Sequence, residues 1–180
     1  MSDERLMERL LEGDESSLEE LVRRYQGPLY RLAYSILHDS ASAEDAFQET
    51  FLKVYRRRFS YRPGSPVKPW IYQICMNVCR DHLRRAKRCP ETPLEENPPP
   101  PGPGGFSPEE CVEREEQARS VRQALIELPA KQREVLLLAH YQNLSYPEIS
   151  ILLDIPTGTV KSRVFHALKK LGALLSKKDS

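Results

Sequence analysis

The chain has 180 residues, 39% of them hydrophobic, with 27 Lys/Arg against 26 Asp/Glu. That composition suits one ordinary domain or two small ones and carries too much apolar matter for a wholly disordered chain. No apolar run approaches the roughly 20 residues of a membrane span, and no basic-then-apolar leader opens the chain; a soluble, cytoplasmic protein without membrane insertion is expected.

Charge is laid out in blocks. Residues 1–52 hold 5 Lys/Arg against 12 Asp/Glu, and residues 53–88 hold 11 against 1. Residues 89–127 return to acid, 3 against 9, and residues 128–180 are basic again, 8 against 4. Two basic blocks separated by acidic ones predict two docking places for a polyanion, and the first is too strongly basic to be only a solvated face.

The start, Met1 to Glu20, is acidic and amphipathic. Ser17 with Glu20 has capping-box spacing and predicts a helix carrying Leu18, Leu21, Val22 and Tyr25. Gly27-Pro28 is expected to break or kink it before Leu29, Leu32, Ala33, Ile36 and Leu37 resume the pattern. Asp39-Ser40 ends that helix; Ser42 with Asp45 opens the next, which turns Phe47, Phe51 and Val54 inward. A basic, turn-prone stretch from Arg56 to Lys68 follows, and Pro69 suits the first turn of another helix running from Trp70 through Leu83.

The segment Cys89 to Pro108 holds eight of the fifteen prolines, a density that sustains neither helix nor sheet. It predicts a spacer over 89–117 between domains at 1–88 and 118–180. Beyond it, Val121, Leu125 and Leu128 form a helical stripe stopped by Pro129, and Gln132 to Tyr141 forms a second. Ser145 and Glu148 then make a capping box with Pro147 in the first turn, and Ile149, Leu152 and Leu153 face inward. After the turn Asp154 to Gly158, a last helix buries Val160, Val164, Ala167 and Leu171. The fold class is therefore all-α: two small helical domains on a flexible Pro-rich linker, the second a helix-turn-helix.

A helix entering the major groove needs donors and acceptors in its first half, and Thr157, Thr159, Lys161 and Ser162 supply them. Lys161, Arg163, Lys169 and Lys170 can hold phosphates. Phe165 is an aromatic on a polar face, to be explained by a thymine methyl or by packing on the preceding helix. Cys75 and Cys79 lie on the apolar stripe with Ile71, Ile74 and Val78, and with Cys89 and Cys111 are expected to be reduced thiols holding no metal. No phosphate-binding glycine loop, Ser/His/Asp arrangement or zinc spacing supports an enzyme or implies a cofactor.

The stretch Leu128 to Val135 (LPAKQREV), with Ser145 to Ile149 (SYPEI) and Gly158 to Arg163 (GTVKSR), resembles the C-terminal DNA-binding region of bacterial sigma factors, most of all the small extracytoplasmic-function group. Independently, Asp45 to Tyr55 (DAFQETFLKVY) resembles the segment that grips RNA polymerase. Trp70 to Ile74, Asn77 and Asp81 to Arg85 resemble the region that reads and melts the minus-ten element.

The resemblance implies core RNA polymerase, promoter DNA and an anti-sigma factor as partners. It implies polymerase contacts at Asp45, Gln48, Glu49, Phe51 and Lys53. For the minus-ten region it implies contacts at Tyr61, Arg62, Ser65, Asn77, Arg80, Arg84, Arg85 and Arg88. Trp70 is left as a stacking surface or plain core, and Tyr72 as a further stacking candidate. At the minus-thirty-five element it implies Thr157, Thr159, Lys161, Ser162, Arg163, Phe165, His166 and Lys169. A base pulled from the stack is expected near the loop Tyr61 to Ser65. Met76, His166 and Leu168 stand where the family often has arginine and bear on promoter preference. A helix-turn-helix regulator that binds an operator without joining polymerase explains only the C-terminal half, and a sequestering adaptor leaves the basic block unexplained.

Overall fold

The computed structural model describes residues 1–88 and 119–176. The Pro-rich spacer, Cys89 and Cys111 lie outside the described residues. The chain divides into two compact units. The regular structure of the described residues is helical throughout.

The first unit opens with α1 (Asp3–Leu11), capped by the Ser2 hydroxyl, which accepts from the Arg5 N–H at 3.3 Å. Its apolar face buries Leu6, Met7 and Leu10. A left-handed Gly13 turns the chain into α2 (Ser16–Leu37). Ser17 does not cap this helix. It is buried, and both its hydroxyl and the Ser16 N–H donate to Asp14, which takes the capping role from outside the helix.

Gly27-Pro28 does not break α2 either, for the helix continues through Pro28. An interior proline costs about 3 kcal/mol. Leu21, Leu29, Leu32 and Ala33 are fully buried on one continuous stripe across it, and that burial outweighs the lost bond. His38, in the left-handed region, ends α2 by donating to the Tyr34 carbonyl.

Asp39 caps α3 (Ser40–Arg56), its carboxylate accepting from the Ser42 N–H at 2.7 Å; the helix therefore begins two residues before Ser42. Inward go Ala43, Ala46, Thr50, Phe51 and Val54, whereas Phe47 is only half-buried, edge-on to Phe51. A 3-10 turn (Arg58–Ser60) leads to α4 (Val67–Arg88). Pro69 sits in the first turn of α4, where the missing N–H costs no helical bond. The N-terminal end of α4 meets a carboxylate from a distant segment: Glu4 of α1 accepts from the Val67 N–H at 3.4 Å.

The second unit begins with α5, residues 119–126, then α6 (Ala130–Leu136), continued by a wider π turn over Leu137–Tyr141. Arg133 ties α6 to α5 by donating to the Ile126 carbonyl at 3.2 Å. In α7 (Tyr146–Leu153) the expected capping box is formed: Glu148 N–H donates to the Ser145 hydroxyl, and Ser145 N–H to the Glu148 carboxylate at 2.8 Å. Left-handed Asp154 ends α7, and α8 (Thr157–Ser176) follows at once. Val160, Val164 and Ala167 of α8 and Ile149 and Leu152 of α7 are buried; Leu153 and Leu171 are only half-buried.

The Asp39 cap yields a stability prediction. Its hydrogen bonds from Ser42 hold the carboxyl below the usual aspartate range. Asp39→Ala should lower the unfolding free energy by about 0.5–2 kcal/mol at neutral pH. Because the folded pKa is depressed, this contribution is full above about pH 4 and is lost as pH falls through the folded value. Denaturant melts at pH 7 and in acid should show the gap between native and variant chains closing in acid.

Candidate nucleic-acid and polymerase interface

In the first unit α3 has three faces with different duties. One is the core. A second meets α4 through a polar cluster: Glu49 accepts from Lys53 at 2.9 Å, pairs with His82 at 3.1 Å and lies 3.8 Å from Arg85. Lys53 also lies 3.8 Å from Asp81, which pairs with Arg84 at 3.4 Å. The bond from Lys53 holds the Glu49 carboxyl below its usual range. Glu49 and Lys53, expected as polymerase contacts, are thus already engaged within the unit.

The third face is open. Asp45, Gln48 and Leu52 share it at helical spacing, and Leu52 is 57% exposed. Beside it, a hollow of about 580 Å³ between α2 and α3 is lined by Gln26, Gly27, Tyr30, Glu44, Phe47 and Gln48. The sequence reading missed the α2 side of this hollow, because Gln26, Gly27 and Tyr30 lie in the stretch assigned to a helix break. Phe51 is buried and supports this face from below rather than touching a partner.

On α4, a second hollow of about 270 Å³ is lined by Lys53, Arg57, Ile74, Asn77, Arg80, Asp81 and Arg84. Arg80 donates to the Asn77 carbonyl oxygen at 3.0 Å, which leaves the Asn77 amide nitrogen to donate elsewhere. Arg84, Arg85, Lys87 and Arg88 are exposed along the rest of the helix. The expected base-receiving loop is built differently from its expectation. Tyr61 is 4% exposed, edge-on to Trp70, and its hydroxyl donates to the Ser65 carbonyl, so this ring closes the loop from inside instead of facing DNA. Arg62 is exposed and Ser65 half-buried. Trp70 is half-buried, and Tyr72 is core, which removes it as a stacking surface. Met76, at a position where the family often has arginine, is also core.

Cys75 and Cys79 are buried free thiols within that core, and the bond to Cys75 together with burial pushes the Cys79 thiol up. Among the described residues no group of three or more His, Cys, Asp or Glu side chains is arranged to hold a metal ion. Among the same residues no helix is long and apolar enough to cross a membrane.

In the second unit α8 separates its faces cleanly. Lys161, Ser162, Phe165, His166, Leu168 and Lys169 are exposed, while Thr157, Thr159 and Arg163 are half-buried. Phe165 is 64% exposed, so packing on the preceding helix does not account for it. Beyond the expected residues, Leu168 on α8 and Ile151 on α7 are also exposed apolar side chains.

Two family models match the chain, Sigma-70 region 2 over residues 21–89 and Sigma-70, region 4 over residues 118–171. The chain is 34% identical over 174 residues to the ECF RNA polymerase sigma factor SigM of Mycobacterium tuberculosis, covering 97% of this chain and 85% of that one. Its structure is similar to that of CnrH in complex with the cytosolic domain of CnrY, with a TM-score of 0.77, 25% identity and 97% of each chain covered. It is also similar to the sigma factor RpoE of Bartonella quintana in complex with the anti-sigma factor NepR, with a TM-score of 0.71 and 25% identity over 88% of this chain and 96% of that one. The chain belongs to the sigma-70 family, in its extracytoplasmic-function group. It is a promoter-specificity factor that binds core RNA polymerase and carries no catalytic activity of its own.

Proposed function

We propose that residues 1–88 dock the polymerase and handle the minus-ten element, residues 118–180 read the minus-thirty-five element as duplex, and residues 89–117 join them. The observation that carries this is the presence of both sigma regions, over 21–89 and 118–171, on the two units of one chain. An operator-binding regulator would leave the first of these without a use.

Polymerase docks on the open face of α3, with Asp45, Gln48 and Leu52 as contacts and the hollow beside Phe47 receiving an apolar side chain. The 270 Å³ hollow at Asn77 receives a base drawn from the melting duplex; its volume and its donors support this. Arg80, Arg84, Arg85 and Arg88, with Arg62 on the loop, track the backbone. In the second unit Thr157, Thr159, Lys161 and Ser162 enter the groove with Phe165 and His166 one turn on, and Arg163 and Lys169 hold phosphate. The protein acts in the cytoplasm, where polymerase and chromosome are. The NepR complex of the similar RpoE supports an anti-sigma factor as a further partner.

Core binding tests the docking face. Gln48→Ala should weaken assembly with purified core polymerase, since a few residues dominate such interfaces. Helix content should stay unchanged, because Gln48 is exposed. Undiminished assembly of a Gln48→Ala, Leu52→Ala double variant would move the docking face elsewhere.

The recognition helix divides affinity from specificity. Lys169→Ala should weaken all duplexes alike and flatten the salt dependence by about one unit of slope. Ser162→Ala and Phe165→Ala should change which minus-thirty-five sequence is preferred, at about 1–3 kcal/mol per lost contact. A binding screen over randomised duplexes reads both, and a sequence shift from Lys169→Ala alone would contradict the assignment.

A further inference from the structure

The N-terminal helix α1 lies outside residues 21–89, the span of Sigma-70 region 2, and the function proposed above gives it no task. It is nevertheless tied to two other helices of the first unit. Its apolar face buries Leu6, Met7 and Leu10. Asp3 joins it to α2, accepting from Arg24 at 2.7 Å and from the Tyr25 hydroxyl at 2.5 Å. The next residue reaches the other way. The half-buried Glu4 carboxylate accepts from the Val67 N–H at 3.4 Å, across 63 residues of chain.

Val67 is the first residue of α4, so its N–H has no carbonyl within the helix to bond. Glu4 supplies that acceptor, and a negative charge at the end of the helix that favours one. Glu4 and Glu8, one turn apart on α1, also stand near Tyr61: burial first, then these two carboxylates, holds its hydroxyl above the ordinary tyrosine range. The far half of α4 is tied separately, by the Glu49 pairs with His82 and Arg85. From Val67 to His82 the two ties are about 22 Å apart along the helix. Asn77 and Arg80, which line the basic hollow, lie between them. Fixed at both points, α4 keeps that face in place; released at Val67, it is free to tilt.

We infer that Glu4 is a positioning residue for promoter opening, through which α1 fixes the first turn of α4 and with it the face that handles the strand. The inference rests on the reading that the first unit handles the minus-ten element, and adds to it a residue from outside the sigma region.

The test uses holoenzyme reconstituted from the full chain and core polymerase, with permanganate reactivity of minus-ten thymines on a duplex promoter as the measure of opening. Glu4→Ala should open the promoter about tenfold less readily, the worth of one charge-assisted hydrogen bond. Glu4→Gln should stay within about twofold of native, because its amide oxygen still accepts from Val67. Glu4→Lys, which sets a positive charge at the start of α4, should open no better than Glu4→Ala. Core assembly and duplex minus-thirty-five binding should be unchanged in all three variants. Asp39→Ala, which loosens the unit at a different helix, should open the promoter as the native chain does.

Native opening by Glu4→Ala would overturn the inference. So would an equal loss with Glu4→Gln, since the acceptor would then not be what matters, or with Asp39→Ala, since any loosening would then suffice. Failure of the native holoenzyme to open the promoter would instead sink the underlying minus-ten reading.

Discussion

The first unit depends on one helix, α3, being fixed in rotation between α2 and α4. Three kinds of work are divided around its circumference, and a turn of a few tens of degrees would mix them. Two features set the angle. Ala43 and Ala46 are fully buried small residues that let α3 approach its neighbours closely. The Glu49 cluster then joins the next face to His82 and Arg85 of α4. A partly exposed ion pair contributes little to stability by itself. Its importance here is geometric, because it keeps Asp45, Gln48 and Leu52 facing outward while bringing Lys53 to the rim of the basic hollow. The open face of α3 and the basic hollow are therefore coupled through one rigid element.

The second unit solves a simpler problem with stronger local signals. The Ser145–Glu148 box starts α7, Asp154 stops it, and Ser150 donates to the Ile155 carbonyl at 2.6 Å across the turn. With the turn fixed, Val160, Val164 and Ala167 determine which face of α8 is hidden, and the exposed face is the remainder. Phe165 stands exposed on that remainder, an apolar ring among polar and basic side chains.

Helix existence was legible in the sequence because the apolar period persists through every segment, and the family resemblance placed both regions. What escaped was decided by interactions the linear pattern does not carry. Pro28 looked like a break because its cost is local, whereas the burial of Leu21, Leu29 and Leu32 that overrides it is tertiary. Ser17 looked like a cap, yet Asp14, two residues before the helix, supplies the acceptor. Among site residues, Gln48 and Asp45 were expected outside and are outside. Tyr61 and Phe51 were expected at partners and are inside, since an aromatic in a functional segment reads the same whether it faces a ligand or supports the backbone that does. Tyr55 closes the segment likened to the polymerase grip, whereas Arg58, lying over its ring and that of Phe59, is in a stretch read only as basic and turn-prone.

Both surfaces in one chain make sense only if they act together on polymerase and promoter. Run-off transcription by core polymerase supplemented with the purified full chain measures that directly. The expected result is a transcript from a defined start that disappears when either promoter element is scrambled and is absent with core alone. A chain that binds the minus-thirty-five duplex tightly yet gives core no promoter-dependent transcript would contradict it.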